Sequence, residues 1–344
     1  MSAQRFGKYD PRPPVPAGHR LKTSAMIASL AADGMPVIAA PFGQALNELA
    51  QSNDKIVGLS ADLAKYTDIH VFRDKYPDRF YQMGMAEQVL VSAAAGLARE
   101  GFQSWATTYA VFAARRAYDF ICMAIAEENL DVKIIGGLPG LTTGYGPSHQ
   151  ATEDLAIFRG MPNMTILDPC CATDIMQATK ALSAYKGPAY MRLLRGNVPD
   201  VLGEYGYQFE LGKAKMIRDG VDVLYISTGL MTMRVLEAAK KLAKDGVDCA
   251  VLHVPTIKPF DAATIAEAAG KTGRLVITAE NHTIIGGLGE AVAAELMRRG
   301  VHPTFRQIAC PDEFLDAGAL PTLHERYGLS EDAVIRQTKN WLSE

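Results

Sequence analysis

The chain of 344 residues is 48% hydrophobic, and its 35 basic and 38 acidic side chains leave a formal net charge of −3. This length favours two domains, and the even balance of charge excludes the basic surface expected of a protein that binds nucleic acid or an anionic membrane. The sequence contains no run of about 18 apolar residues, so no membrane span is predicted. The five cysteines form no CxxC pair, and no signal-peptide pattern precedes them, so free thiols in the cytoplasm are expected.

Short apolar runs alternate with helical patterns after a Pro-rich segment, residues 1–22, that is predicted to be an arm. The runs at 55–61 (KIVGLSA) and 132–137 (VKIIGG) are continuously apolar, and the segment 86–100 between them has the pattern of a helix. Apolar strands that alternate with helices indicate a parallel sheet covered on both faces. The sequence therefore predicts a doubly wound α/β domain over residues 23–198.

A stretch rich in Gly, Pro and charge interrupts this alternation, and residues 199–219 are predicted to be a linker. The alternation then resumes with the strand pattern VDVLYIST at 221–228, followed by a helical pattern with Gly246 just beyond its end. Residues 220–344 are therefore predicted to form a second doubly wound α/β domain.

The densest chemical pattern lies in the first domain. Glu87 begins an Ala-rich helix, and its small apolar neighbours predict a buried carboxylate, which must find a partner or stay neutral. Tyr109 and Phe112 stand three apart at the start of a segment predicted as one helix, 110–126, and a Gly-Pro-Ser-His-Gln turn then presents His149. A buried carboxylate, an aromatic shelf and a loop histidine could hold and activate an aromatic cofactor ring.

Each of these residues also has a simpler interpretation. An acidic side chain such as Glu87 is favoured at any helix N-terminus by the helix dipole. Aromatic residues spaced like Tyr109 and Phe112 usually belong to a hydrophobic core, and a single loop histidine such as His149 usually lies at the surface. The residues alone leave both interpretations open.

Residues 20–344 resemble the C-terminal half of a transketolase, and the motifs around Glu87 are similar to the pyrimidine-binding domain of transketolases and 1-deoxyxylulose-5-phosphate synthases. Those enzymes use thiamine diphosphate. The resemblance implies that Glu87 bonds the N1′ atom of the aminopyrimidine ring, that Tyr109 and Phe112 stack on or flank this ring, and that Met85 also contacts the cofactor.

A further cofactor residue is implied by the SADL string, which matches the family at Asp62. The family places this aspartate near the thiazolium ring, and the carboxyl ends of parallel strands are where ligands bind. A plain helix N-cap is the alternative for Asp62.

The resemblance also implies a substrate pocket. His149 would contact the substrate oxygens and move or polarise a proton, and Arg195 in LLRGN would bind the sugar phosphate. Arg115 stands where many transketolases have a tyrosine and is expected near the substrate, with an ion pair as its alternative. Tyr145 replaces an acidic family residue beside the substrate, and Pro41 replaces a basic one, so the phosphate pocket is expected to be thinned or rebuilt.

The family holds the diphosphate of its cofactor through Mg²⁺ (or Ca²⁺) with a GDG motif in a separate N-terminal domain. No GDG string occurs in this sequence. The resemblance therefore predicts the C-terminal, or β, subunit of a split two-gene transketolase, which itself binds no metal. An N-terminal subunit that carries the motif is the implied partner, in an α2β2 assembly that moves a two-carbon ketol unit from a ketose, expected to be a phosphate, to an aldose.

Three alternatives stay open. The chain could be the β subunit of a 2-oxo-acid or acetoin dehydrogenase E1, a fragment of a 1-deoxyxylulose-5-phosphate synthase, or a non-catalytic regulatory paralogue. The GPSHQ turn argues against the first, and the usual single chain of that synthase argues against the second. The retention of Glu87 argues against the third, because a buried carboxylate is costly to keep.

Overall fold

The computed structural model describes residues 35–344, so the predicted arm at 1–22 and the first residues of the predicted first domain lie outside the described residues. Two α/β units follow one another along the chain, each built on a mostly parallel sheet with helices on both faces. The predicted fold class is confirmed. Among residues 35–344, no helix combines the length and the apolar character that crossing a membrane requires.

The first sheet has seven strands, and every neighbouring pair is parallel except the one formed by its last strand in sequence. Across the sheet these strands are β12 (Thr256–Lys258), β6 (Thr165–Leu167), β7 (Ala189–Leu193), β5 (Val132–Gly137), β4 (Gln103–Tyr109), β2 (Ile56–Ser60) and β3 (Phe80–Gln82). A separate antiparallel ribbon joins β1 (Val37–Ala39) to β8 (Asn197–Pro199).

Seven helices accompany this sheet within the described chain: α1 (Pro41–Ala50), α2 (His70–Lys75), α3 (Glu87–Arg99), α4 (Ala110–Arg116), α5 (Tyr118–Ile121), α6 (Asp154–Arg159) and α7 (Ala172–Ala184). The single helix predicted at 110–126 is instead three pieces, α4, α5 and a π-helical turn at Cys122–Ala126. The backbone leaves helical geometry at Ala117, where φ is −107° and ψ is 2°.

The second sheet has five strands, in the order β14 (Thr304–Cys310), β13 (Leu275–Thr283), β10 (Val223–Ser227), β11 (Cys249–His253) and β9 (Lys215–Arg218). Its helices are α8 (Leu230–Lys244), α9 (Ala262–Ala269), α10 (Leu288–Arg298), α11 (Leu320–Arg326) and α12 (Glu331–Ser343).

The strand β9 lies inside the segment predicted as a linker, 199–219, and pairs antiparallel with β11 at the edge of the second sheet. None of its residues is fully buried, which explains why its sequence has no continuous apolar run.

The two units share one continuous interior. One hydrophobic cluster contains both Ile175 of α7 and Leu236 of α8, and the other contains both Leu90 of α3 and Val292 of α10. The strand β12 comes from the second half of the chain but belongs to the first sheet. The domains are therefore packed as one body, with a buried seam between them.

A buried arginine organises the polar part of this seam. The Arg192 guanidinium ion-pairs with both oxygens of Asp154, its Nε at 2.9 Å, and with Asp168 at 3.4 Å. It also donates to the carbonyl of Asn281 (3.1 Å) in the second domain and to that of Ala151 (3.3 Å) in the first. These three charged side chains, the arginine network, are almost completely buried.

Burial and charge act in opposite directions on the two carboxylates of the arginine network. Burial by itself would raise the pKa of Asp154, but the adjacent Arg192 guanidinium lowers it below its ordinary value. For Asp168, burial wins and raises the pKa to about 6. Asp154 therefore carries the anion that balances the arginine.

A second buried cluster ties α7 to β11. Asp174 accepts hydrogen bonds from the Cys170 backbone (2.8 Å) and the Tyr207 hydroxyl (2.8 Å), and it is paired with His253 Nε2 at 2.9 Å. The other ring nitrogen of His253 bonds Thr232 at 2.8 Å. Cys170, Asp174 and His253 have ligand atoms close enough to hold a metal ion, but the carboxylate and the imidazole are already engaged by protein groups. We therefore interpret the cluster as a seam contact.

Replacement of Arg192 by methionine should destabilise the chain by about 3–5 kcal/mol, because it leaves two carboxylates in the seam without their cation. Urea unfolding of the isolated chain measures this loss. The matched control is Arg99→Ala, which removes an exposed ion pair with Glu128 and should cost less than about 1 kcal/mol. Equal losses for the two variants would show that the arginine network does not hold the seam.

Candidate functional site

The candidate residues gather where neighbouring strands end. β2, β4, β5 and β7 are parallel and adjacent, so the segments that follow them emerge at one edge of the first sheet. Tyr109 ends β4, and Arg195 lies two residues after β7. Residues 138–151, here named the histidine loop, follow β5 and carry His149. The carboxyl edge of a parallel sheet is the usual place for a ligand.

Four rings form the wall of this site. The ring of Phe112 lies 5.7 Å from that of Tyr109, and the imidazole of His149 lies 5.5 Å from Phe112 and 6.3 Å from Tyr109. The exposed ring of Tyr145 stands 5.6 Å from His149. The three contacts of His149 are edge-on, a favourable arrangement for aromatic rings. The structure thus brings four sequence-predicted site residues together.

Glu87 is 4% exposed at the first turn of α3, as its sequence context predicts. Both of its carboxylate oxygens lie 3.3 Å from Nη1 of Arg116. The Arg116 guanidinium also lies over the Phe112 ring, with Cζ 4.0 Å from the ring centroid. Arg116 is therefore a candidate site residue that the sequence did not indicate. The sequence indicated its neighbour, Arg115.

Arg115, the selected arginine, holds the histidine loop. It is ion-paired with Glu153 and donates to the carbonyls of Pro147 (2.8 Å) and Gln150 (3.4 Å). The ion pair named as its alternative interpretation is present, within one chain. Its guanidinium therefore stabilises the backbone that presents His149.

The position of Arg116 provides a test of whether these residues suit an aminopyrimidine ring. A guanidinium is flat and rich in N–H donors, and here it stacks on Phe112 while bonding the carboxylate of Glu87. An aminopyrimidine needs the same two contacts. Because the Arg116 side chain is 54% exposed, it can withdraw into solvent and leave this space to a ring. The residues fit that end of thiamine diphosphate.

Arg195 lies at the same edge, with its guanidinium carbon 5.3 Å from the ring of Tyr66. Tyr66 in turn stands 6.4 Å from Tyr109. Among the described residues, the buried Nε of Arg195 has no hydrogen-bond partner. This arginine is held by an aromatic face and keeps donor capacity for an anion. The sequence did not indicate Tyr66 as a candidate site residue.

The carboxylate of Asp68 anchors the backbone next to Arg195. Its two carboxylate oxygens accept the Gly196 backbone N–H at 3.2 and 3.0 Å, and the side chain is buried. Burial raises the pKa of Asp68 to about 6, although the bond from Gly196 and the charge of Arg195 both lower it.

Two predicted cofactor residues, Asp62 and Met85, lie at the surface. Asp62 is exposed with φ at 60°, and its backbone N–H donates to Gln82 at 2.7 Å. It does not cap a helix, since Leu63 precedes the 3-10 turn Ala64–Thr67. Met85 is 81% exposed.

Glu280 and His282 lie buried in the second domain and its seam. Glu280 accepts the first N–H groups of α10, from Leu288 (2.6 Å) and Gly289 (2.7 Å). Burial raises the pKa of Glu280 to about 7 and lowers that of His282 to about 4. Both residues belong to the domain packing.

The raised pKa of Asp68 predicts a specific pH dependence. Between about pH 4 and pH 6 the folded chain keeps a proton that the unfolded chain has lost, so the free energy of unfolding falls as pH rises through this range. Asp68→Asn keeps an acceptor for Gly196 but cannot ionise. Between pH 5 and 7.5, the wild type should lose about 1 kcal/mol more than this variant in urea unfolding. The exposed control, Asp78→Asn, should follow the wild type; a variant at position 68 that also does so would contradict the assignment.

Two family models match the chain. The pyrimidine binding domain of transketolase matches residues 35–201, and the C-terminal domain of transketolase matches residues 212–334. The boundary between the matches coincides with the passage from the first sheet to the second.

Several known proteins are similar over nearly the whole chain. A transketolase family protein of Sinorhizobium fredii, y4mN, is 69% identical over 94% of each chain. A 6-deoxy-6-sulfo-D-fructose transketolase subunit, SqwH, of Clostridium sp. is 37% identical over 85% of this chain and 90% of that protein. A 1-deoxy-D-xylulose-5-phosphate synthase of Geobacter sulfurreducens is 32% identical, but the match covers only 47% of it and 88% of this chain.

A solved structure described as a split gene transketolase, inactive beta4 tetramer, has the same fold. It aligns with a TM-score of 0.80 and 39% identity, over 89% of this chain and 99% of that one. With both family models matched in order and these relatives, the chain belongs to the transketolase family and comprises its pyrimidine-binding and C-terminal domains.

Proposed function

We propose that this chain is the C-terminal subunit of a split transketolase that transfers a two-carbon ketol unit from an anionic ketose to an aldose. It would bind the aminopyrimidine end of thiamine diphosphate, and a second subunit would bind the diphosphate and its metal ion. The observation that carries this proposal is the buried carboxylate of Glu87 beside Phe112, already engaged by one flat nitrogen-rich group, Arg116.

Thiamine diphosphate, when bound, supplies the chemistry that breaks and forms the carbon–carbon bond. The protein has to orient the cofactor and manage protons around it. Glu87 would bond the ring nitrogen and hold the proton there, since its carboxylate is removed from water. Tyr109 and Phe112 would fix the plane of the ring. His149, edge-on to both, would donate to or accept from the oxygens of the sugar.

The substrate is proposed to carry a terminal anion. Arg195 is held by Tyr66 and by the segment that Asp68 anchors, and its Nε has no partner among the described residues. A phosphate and a sulfonate offer the same oxygen acceptors to a guanidinium. The similar protein from Clostridium is named for a sulfonated sugar, so both anions are candidates here.

A partner subunit is proposed for two reasons. The sequence has no GDG string that could hold the diphosphate and its metal ion. Exposed apolar side chains also occur on α3, the helix that Glu87 begins, and on the two segments that pack against it: Val89 on α3, Phe120 on α5 and Met123 on the π-helical turn. Exposed apolar residues in such a group commonly mark a protein interface. The similar solved structure is described as an inactive tetramer of β chains, in agreement with a need for another subunit.

Reconstitution tests this function. The chain alone, the candidate N-terminal subunit alone and their mixture should be assayed with thiamine diphosphate, Mg²⁺ and a phosphorylated or sulfonated ketose. Ketol transfer by the mixture alone, with an α2β2 mass in light scattering, supports the proposal. Decarboxylation of a 2-oxo acid would assign the chain to the E1 class instead, and tight binding of thiamine diphosphate to the isolated chain would remove the need for a partner.

Glu87→Gln should lower kcat of the reconstituted enzyme by at least about a hundredfold, because an amide cannot exchange the proton that the ring nitrogen needs. Steady-state kinetics with saturating cofactor measures the loss. The control is Glu100→Gln, which changes an exposed residue at the other end of the same helix and should leave kcat unchanged. Near-normal turnover of the position 87 variant would assign activation of the ring to another residue.

Arg195→Ala should raise KM for an anionic ketose by roughly tenfold to a hundredfold, the effect of losing one charged hydrogen-bonded pair. The same sugar without its phosphate or sulfonate should show almost no change in KM. Initial rates with both sugars make the comparison. Equal losses would mean that Arg195 has a structural role and that the anion is bound by the partner.

A further inference from the structure

The second domain forms several hydrogen bonds with the histidine loop. Near the start of the loop, the Leu141 N–H donates to the Asn281 side chain (2.8 Å), and the Leu141 carbonyl lies 2.7 Å from Nε2 of His324. Burial lowers the pKa of His324 to about 4, so its ring is neutral and donates this bond. Farther along, the Gly318 N–H donates to the Gly144 carbonyl at 2.9 Å. The backbone that leads to His149 is therefore set by the other domain.

Gln150, the residue directly after His149, forms a further hydrogen bond with the second domain. It is 1% exposed, and its Nε2 donates to two carbonyls, that of Thr143 at 3.2 Å within the loop and that of Asp316 at 3.1 Å in the second domain. A carbonyl can only accept, so the NH₂ end of the amide must face both of them. One side chain thus closes the loop on itself and attaches it to the second domain.

The opposite side of the same segment is held within the first domain. Arg115 donates to the carbonyls of Pro147 and Gln150. Gly146 has φ of +85°, and a Cβ at this position would lie 3.3 Å from the Ala317 side chain, so the turn fits closely under the second domain. Contacts from both domains therefore restrict the backbone at His149, whereas its imidazole lies among the rings of the candidate site.

We infer that Gln150 is a positioning residue through which the C-terminal domain fixes the imidazole of His149 against Tyr109 and Phe112. This inference rests on the proposed function for its kinetic consequence, but its structural content concerns this chain alone. A reacting group displaced by about 1 Å can lose a hundredfold in rate, so a buried amide that fixes one peptide can matter as much as a group that touches the substrate.

A double-mutant cycle tests whether Gln150 acts through His149. Gln150→Met keeps the length of the side chain and removes both donors. In the reconstituted enzyme it should lower kcat about tenfold to a hundredfold when His149 is present, and less than about threefold when His149→Ala is already in place. Affinity for thiamine diphosphate should stay within about threefold in both backgrounds. Equal losses of kcat in the two backgrounds would make Gln150 a merely structural residue and overturn the inference.

Nuclear magnetic resonance of the isolated full chain gives a measurement that needs no activity. The His149 imidazole lies 5.5–5.6 Å from the rings of Phe112 and Tyr145, so its protons should carry ring-current shifts. With histidine labelled by ¹³C, Gln150→Met should move or broaden the His149 signal, which the His149→Ala spectrum identifies. An unmoved His149 signal would overturn the inference even if the reconstituted enzyme were inactive, whereas inactivity of the wild-type mixture would count against the proposed function alone.

Gln177→Met is the matched control for both experiments. Gln177 makes the same kind of bond, from its Nε2 to the Tyr207 carbonyl at 3.1 Å, and it also accepts the Phe209 N–H at 2.6 Å. It lies on α7, and both of these bonds go to the segment between the two domains rather than to the histidine loop. This variant should leave kcat and the His149 signal unchanged; a similar effect of both variants would show that loss of any such amide disturbs the site and would overturn the inference.

Discussion

The buried charge of Arg192 is the constraint on which the arrangement depends. Placing a guanidinium in the seam between two domains is costly unless anions and carbonyls surround it, and here Asp154, Asp168 and two backbone carbonyls do so. One of those carbonyls belongs to Asn281, whose side chain accepts a hydrogen bond from Leu141 near the start of the histidine loop. The other belongs to Ala151, the last residue of that loop. The interaction that joins the domains therefore also closes the base of the loop that presents the candidate catalytic histidine.

The site is chemically one-sided. It offers flat aromatic surfaces, the buried carboxylate of Glu87 and arginines, which suit an aromatic ring and an anionic sugar. The paired carboxylate and amide oxygens that hold a magnesium diphosphate are not part of this group of residues. The contact of Arg116 with Glu87 is consistent with this division, since it gives the carboxylate a counter-charge when no ring is present. Under the proposed function, a second subunit completes this half-site.

Much of this could be predicted from the sequence, because the strongest signals are local. The apolar strands, the burial of Glu87 and the pairing of Tyr109 with Phe112 follow from periodicity and from the chemistry of neighbouring residues. The break at Ala117 could not be predicted, since no glycine or proline marks it. That break lies directly after the two adjacent arginines, whose different roles depend on the exact phase of α4.

Long-range partners were also beyond the sequence. Tyr66 reaches Arg195 only because β2 and β7 end at the same edge, and Gln150 reaches Asp316 across 166 positions of chain. No periodicity or motif spacing encodes such contacts. The segment around Gln150 is polar in sequence, so nothing in it predicted that this amide would be buried or which acceptors it would reach.

The short strand β12 has a consequence for the integrity of the molecule. An open sheet edge displays unpaired N–H and C=O groups and is a ready template for aggregation. β12 covers such an edge at β6, yet it comes from the second half of the chain. The second domain thus shields the first from intermolecular strand pairing. A fragment that contains only the first domain would lack β12 and would expose the unpaired edge of β6, so it should associate more readily than the whole chain.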